Sequence, residues 1–178
     1  MSPNRNRNIF LIGPMGSGKT AVGRHLARLF RFTFLDSDAD IEAKTGVDIS
    51  FIFEKEGEAG FRQREHETLE ILTAMRRIVL ATGGGAVMLP ENRLLLAERG
   101  RVVYLKTSIA QQVERVRQGR SRPLLSKVDP AVKLGELMEL RAPLYAEIAD
   151  VTVNTDNRKV RNVAEDILRE LDAAEMAR

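Results

Sequence analysis

The sequence predicts an α/β fold in which a parallel sheet is covered by helices on both faces. Three observations carry this expectation. Short apolar, β-branched runs alternate with amphipathic helical stretches along the chain. The first run, Ile9-Phe10-Leu11-Ile12, leads straight into Gly13-Pro14-Met15-Gly16-Ser17-Gly18-Lys19-Thr20 and then into a helical pattern, the strand, loop and helix of a phosphate-binding loop. A second glycine-rich turn, Thr82-Gly83-Gly84-Gly85, ends another apolar run, and open α/β sheets bind ligands at the carboxyl ends of their strands.

The elements follow in order. After the loop, Val22, Leu26, Leu29 and Phe30 share one helical face that packs back on the sheet. Residues 32–35 read as the second strand, and the helical stretch 39–45 beyond it stops at Gly46. A short helix over 49–56, a break at Gly57 and a longer helix over 58–75 come next, with Phe61, Leu69 and Leu72 turned inward. Residues 78–81 form the third strand, 90–99 a helix opened by its proline, and 102–105 the fourth strand. Ser108 caps a helix that carries Val113 and Val116 and fades near Gly119. Residues 119–130, with Arg120, Arg122 and Lys127, read as a long basic loop of the kind that closes over phosphate as a lid. Residues 131–149 are helical with Leu134, Leu137, Leu140 and Leu144 apolar, and Pro143 is expected to kink or restart that helix. A last short strand at 151–153 precedes a closing helix over 160–176 with Val163, Ile167 and Leu171 in register.

Composition narrows the possibilities. A length of 178 residues with 43% apolar and 30% charged side chains fits one globular domain. No apolar run approaches the ~20 residues of a membrane span, so no membrane association is expected. A net charge of +3 with scattered arginines gives no footprint for nucleic acid. The absence of cysteine removes disulfides and thiolate chemistry and agrees with a reducing, cytoplasmic setting. His25 and His66 both fall on helices and read as structural, residues 1–8 read as a frayed tail, and no heptad pattern demands a partner chain, so a monomer is expected.

The chemistry concentrates in a few positions. Glycines 13, 16 and 18 let backbone N–H groups converge on phosphate, Lys19 adds a mobile cation, and the Thr20 hydroxyl suits Mg²⁺. Asp36 and Asp38, two apart at a strand end, can face the same space: one carboxylate can serve Mg²⁺, the other can orient a substrate hydroxyl and accept its proton. Both also suit the cap and first turn of a helix. Asp36 is the better metal candidate because Leu80-Ala81-Thr82 offers no acid. Arg62 and Arg141 could clamp an acidic substrate and Arg122 could neutralise a transferring phosphoryl group, or each could be an ordinary surface ion-pair residue. The backbone of Gly83, Gly84 and Gly85 could reach a substrate oxygen.

As an ordered set, these segments resemble the shikimate kinases. The likeness runs from Ile9 to about Leu171 and rests on the 13–20 loop, Leu35-Asp36-Ser37-Asp38, Ile52-Phe53, Gly60-Phe61-Arg62, Thr82-Gly83-Gly84-Gly85-Ala86, Arg122-Pro123-Leu124-Leu125 and Arg141-Ala142-Pro143-Leu144-Tyr145. The resemblance implies a P-loop NTPase-like three-layer α/β/α fold with a five-stranded parallel sheet, similar to nucleoside monophosphate kinases. It also implies a substrate-binding subdomain at about 37–65 and a lid at about 117–130. Its implied activity is ATP- and Mg²⁺-dependent phosphorylation of the shikimate 3-hydroxyl in aromatic amino acid biosynthesis. By the same resemblance Gly16, Ser17, Gly18, Lys19, Thr20, Ala21, Arg115, Arg122 and Asn157 hold the nucleotide, and Thr20 and Asp36 the metal. Asp38, Phe53, Phe61, Arg62, Gly83 to Gly85 and Arg141 would hold shikimate, with Glu65 bracing the arginines, and Lys19, Asp38 and Arg122 acting in catalysis. One segment departs from the family pattern: Asn157-Arg158-Lys159-Val160 stands where several members place a proline near the adenine. Two other readings share the loop, a kinase for another small acceptor such as gluconate or a nucleotide, and a non-catalytic ATP-binding regulatory module.

Overall fold

A computed structural model of the chain describes residues 7–118 and 129–176. Five parallel strands, β1 (Asn8–Ile12), β2 (Thr33–Asp36), β3 (Ile78–Ala81), β4 (Gly100–Lys106) and β5 (Val151–Asn154), form one sheet in the order β2-β3-β1-β4-β5. The chain builds β2 and β3 on one side of β1 and then crosses to β4 and β5 on the other. That reversal places a crevice beside the carboxyl end of β1, where the phosphate loop leaves it.

The strand pleat explains the two cores. Along β1, Ile9 and Leu11 face one way and Phe10 and Ile12 the other, and all four are buried. On the first face, Val22 and Leu26 of α1 (Lys19–Phe30) meet Val163, Ile167 and Leu171 of α7 (Val160–Met176) over Ile9, Leu11 and Val103. On the second, Leu69 and Leu72 of α3 (Ile49–Thr73), Leu96 of α4 (Pro90–Arg99) and Tyr145 of α6 (Pro130–Ile148) cover Phe10, Ile12 and Tyr104. A small third cluster joins Ile41 of α2 (Ser37–Thr45) to Ile52 and Phe61 of α3, outside the edge of the sheet at β2. Helix α5 (Ile109–Arg117) is capped by Ser108, whose side chain accepts from Gln111 N.

The elements match the expected order, with differences of detail. Asn8 is the buried first residue of β1 and not part of a frayed tail, because its side chain donates to Thr73 O and Met75 O. Strand β2 runs one residue further, so Asp36 is both its last residue and the N-cap of α2. Gly57 breaks α3 as expected, at φ 71°, a conformation open to glycine. Pro143 does not restart α6, which continues to Ile148. Leu29 and Leu140 are exposed at 52% and 62%. The buried stripe of α1 is centred on Val22, Gly23, Leu26 and Ala27, about a quarter turn from Leu29, and Leu140 lies on the face of α6 away from Leu134, Arg141 and Tyr145. Most of the expected lid at about 117–130, including Arg120, Arg122 and Lys127, falls in residues 119–128 and lies outside the described residues.

Gly23 shows how tightly α1 is set on the sheet. A Cβ there would lie 2.6 Å from the Phe34 ring and 3.1 Å from the Leu11 side chain. Helix propensity alone favours alanine over glycine by about 1 kcal/mol, but overpacking a full core costs about 1–3 kcal/mol. Gly23→Ala is therefore expected to destabilise the protein, read as a lower urea midpoint with unchanged slope.

Candidate active site

One cavity of about 790 Å³ opens at the carboxyl ends of β1, β2 and β3, lined by the phosphate loop, the end of β2, the inner face of α3, residues 81–85 and Arg141. The loop is built by glycine conformations: Gly13, Gly16 and Gly18 have φ of 143°, 76° and 89°. Gly13 is also sterically required, because a Cβ would lie 2.5 Å from Leu105 O of β4. Lys19 Nζ donates to Gly13 O at 2.7 Å and Pro14 O at 2.8 Å, which holds the ammonium over the loop, and Ser17 is buried beneath it. Ala21 is exposed in the first turn of α1.

Asp36 joins the loop to the second strand. Its Oδ2 accepts from Thr20 Oγ1 at 3.0 Å, while Oδ1 accepts from Asp38 N at 3.1 Å and Ala39 N at 3.2 Å. The cap reading and the Thr20 pairing are thus both true of one carboxylate. A hydroxyl and a carboxylate oxygen at the mouth of a phosphate loop are hard donors that fit Mg²⁺, which takes a few protein oxygens and completes its shell with phosphate and water.

Across the cavity the triple-glycine turn meets the charged groups from α2, α3 and α6. A Cβ on Gly83 would stand 2.7 Å from Glu65 Oε1 and 2.8 Å from Asp38 Oδ1, one on Gly85 would overlap the Arg62 guanidinium, and one on Gly84 would be 3.5 Å from Arg141 Nη1. Arg62, Arg141, Asp38 and Glu65 therefore gather around a turn where a side chain at 83 or 85 would displace the charged ends beside it. Glu65 is fully buried and accepts from Arg62 Nη1 at 2.6 Å, and Arg62 also donates to Glu58 at 3.1 Å. Burial raises the Glu65 pKa, with Arg62 and then Arg141 pulling against it. For Arg62, burial opposes the charge but Glu65 and Glu58 outweigh it, so its pKa rises. Arg141 is 6% exposed, and among the described residues its Nε has no hydrogen-bond partner. Phe53 and Phe61 pack their rings 4.7 Å apart on the α2 side of the cavity.

The structure brings most of the singled-out residues to one place. Arg115 lies apart from the glycine turn, donating to Gly16 O at 2.7 Å and to Thr155 O at 2.9 Å, so it ties the phosphate loop to the segment after β5. Asn157 is exposed on that segment at φ 53°, and Arg122 lies outside the described residues. His66 stays structural, its Nδ1 2.7 Å from Asn92 Oδ1, while Asn92 donates to Ala86 O. Residue reasoning missed Ser37 and Tyr145. Ser37 Oγ accepts from Gly83 N at 3.0 Å, and Tyr145 Oη donates to Gly84 O. The signal for Ser37 was its place between the aspartates; for Tyr145 it was spacing, four residues after Arg141 and hence on the same helix face.

A phosphate loop at the reversal point of a parallel sheet, facing buried guanidiniums across one cavity, defines a small-molecule kinase of the P-loop class. The family model for shikimate kinase matches residues 15–172, and the chain belongs to that family. A shikimate kinase of Psychromonas ingrahamii is 53% identical over 166 residues, covering 93% of this chain and 97% of the relative. The solved structure of shikimate kinase from Acinetobacter baumannii in complex with shikimate superposes with a TM-score of 0.91 at 50% identity, covering 94% of this chain and 93% of that one. A gluconokinase from Sinorhizobium meliloti matches 96% of this chain and 95% of its own with a TM-score of 0.63 at 19% identity, a likeness of fold alone.

Removing one member of a buried ion pair leaves the other uncompensated. Glu65→Ala is expected to cost about 3 kcal/mol of stability, because Arg62 keeps only the exposed Glu58 and Arg141 loses a nearby anion, and equilibrium denaturation measures it.

Proposed function

We propose that the enzyme transfers the γ-phosphoryl group of ATP to the 3-hydroxyl of shikimate, giving shikimate 3-phosphate and ADP. The observation that carries this reading is the pair of buried arginines, Arg62 and Arg141, set against the Gly83–Gly85 turn and across one cavity from Lys19. Two planar guanidiniums in a water-poor site suit a carboxylate, and Asp38 beside the same turn suits the ring hydroxyls. Family membership supplies the acceptor, and the family's shikimate complex from Acinetobacter baumannii supports it.

In this reading Arg62 and Arg141 hold the shikimate carboxylate, Phe53 and Phe61 bound the ring's apolar side, and the Gly84 and Gly85 amides meet its oxygens. The Gly83 amide is already engaged by Ser37, so Gly83 contributes closeness to Asp38 instead of a donor. Asp38 orients the 3-hydroxyl and accepts its proton as the oxygen–phosphorus bond forms. The bond from the γ-phosphorus to the bridging oxygen breaks, and ADP leaves. Lys19, with the loop amides of residues 16–20, draws charge from the phosphates, and Arg122 from the lid at about 117–130 adds a second cation at the transferring group. Thr20 and Asp36 would hold Mg²⁺, which supplies charge neutralisation on the β- and γ-phosphates. Arg115 and Asn157 stand on the adenine side. The segment at about 37–65 serves as the acceptor-binding part of one domain spanning 1–178, acting as a cytoplasmic monomer. Among the described residues no helix is long and apolar enough to cross a membrane.

The test is ADP release from purified protein with ATP and Mg²⁺, with shikimate, gluconate or nucleoside monophosphates as acceptor. Turnover dependent on shikimate is expected; turnover with another acceptor alone would reject the clamp, and ATP binding without any phosphorylation would favour a regulatory module. Arg141→Ala is expected to raise the shikimate KM by about ten- to a hundredfold with a smaller change in kcat. Arg122→Ala is expected to lower kcat by about a hundredfold or more with little change in shikimate affinity, measured by steady-state kinetics.

A further inference from the structure

Tyr145 belongs to no step of that reaction, yet it is fully buried and leads the largest such side chains among the described residues. It stands on α6 one turn after Arg141, its ring stacked on Tyr104 of β4 at 5.0 Å. Tyr104 pairs in the sheet with Ile12, the residue before Gly13. A phenylalanine would fill the same volume and make the same stack, so the hydroxyl calls for its own explanation. That hydroxyl donates to Gly84 O at 2.5 Å. Burial pushes its pKa well above the usual tyrosine range, against the nearby Arg141 charge, so it remains a donor throughout the working pH range.

The Gly84 carbonyl and the Gly85 N–H lie in one rigid peptide plane and point in opposite directions. With glycine on both sides, no side chain restrains the rotation of that plane. Among the described residues, the Gly84 and Gly85 amides have no backbone acceptor to hold them. Among the described residues the phenol supplies the hydrogen bond that holds the plane, and it does so from the helix that also carries Arg141.

We infer that Tyr145 is a positioning residue for the acceptor site: its hydroxyl fixes the Gly84–Gly85 peptide, and through α6 it holds that peptide in register with Arg141. The inference rests on the reading of Arg141 and the glycine turn as acceptor-binding groups. It assigns the last residue of the Arg141-Ala142-Pro143-Leu144-Tyr145 segment to substrate geometry as well as to the core.

Tyr145→Phe, which keeps ring and stack, tests it against Arg141→Ala in parallel. The expected result for Tyr145→Phe is an increase in shikimate KM of about tenfold, with kcat and the ATP KM within about twofold of the parent. If Arg141→Ala raises the shikimate KM and Tyr145→Phe does not, the positioning role is overturned and the acceptor reading stands. If neither raises it, the acceptor reading falls and the role of Tyr145 with it. A loss for Tyr145→Phe confined to kcat, or equal for both substrates, also overturns the inference. Should Tyr145→Phe not fold, Tyr104→Phe gives a second readout, because the chain has no tryptophan and two tyrosines, leaving Tyr145 as its sole tyrosine emitter. Its emission is expected to change on titration with shikimate and not with gluconate; an unchanged signal at saturating shikimate overturns the inference.

Discussion

The polar half of the cavity depends on Glu65. Two guanidiniums brought out of water within reach of one glycine turn repel each other and lose hydration, and neither cost is met by the apolar residues around them. The fully buried Glu65 carboxylate offsets both, accepting from Arg62 at 2.6 Å and attracting the Arg141 charge. Glu65 and Arg62 fill the space that side chains at 83 and 85 of the turn would take. Helix α3, the glycine turn and α6 are therefore one assembly, and its charges are arranged before any ligand enters.

The phosphate side works by another principle. There the backbone carries the geometry: Gly13 is forced against Leu105 O, Gly18 caps α1 at positive φ, and the lysine is held by the carbonyls of the loop. Asp36 connects the two sides, since it ends β2, caps α2 and meets Thr20. Movement of β2 relative to the loop would disturb the cap and the hydroxyl pairing together.

Much of this was legible in the sequence, for identifiable reasons. Strands such as 9–12 and 78–81 are continuous apolar runs because both faces of a parallel sheet are covered, and the loop is a contiguous pattern whose spacing encodes its shape. Pairing order was not legible from residues alone, because β1 and β3 are far apart in sequence and their register is set by packing. The convergence of Arg62 and Arg141 was equally hidden: each looks like a surface arginine until α3 and α6 are laid on the same face of the sheet. Leu29 and Leu140 show the converse limit, since periodicity gives a helix its apolar positions and the neighbouring elements decide how wide a stripe is buried. Ser37 and Tyr145 escaped because their importance lies in single hydrogen bonds to main-chain atoms; their positions in the sequence place them near the site but do not reveal those bonds.

The glycine turn has a consequence for inhibitor resistance. Resistance by point mutation commonly works by adding or reshaping a side chain where a compound binds. At positions 83 and 85 an added Cβ collides with Glu65 and Asp38 or with Arg62, so a change that excludes the compound also disorders the charges beside it. A ligand drawing its affinity from main-chain atoms of this turn would face a surface the chain has little freedom to redecorate.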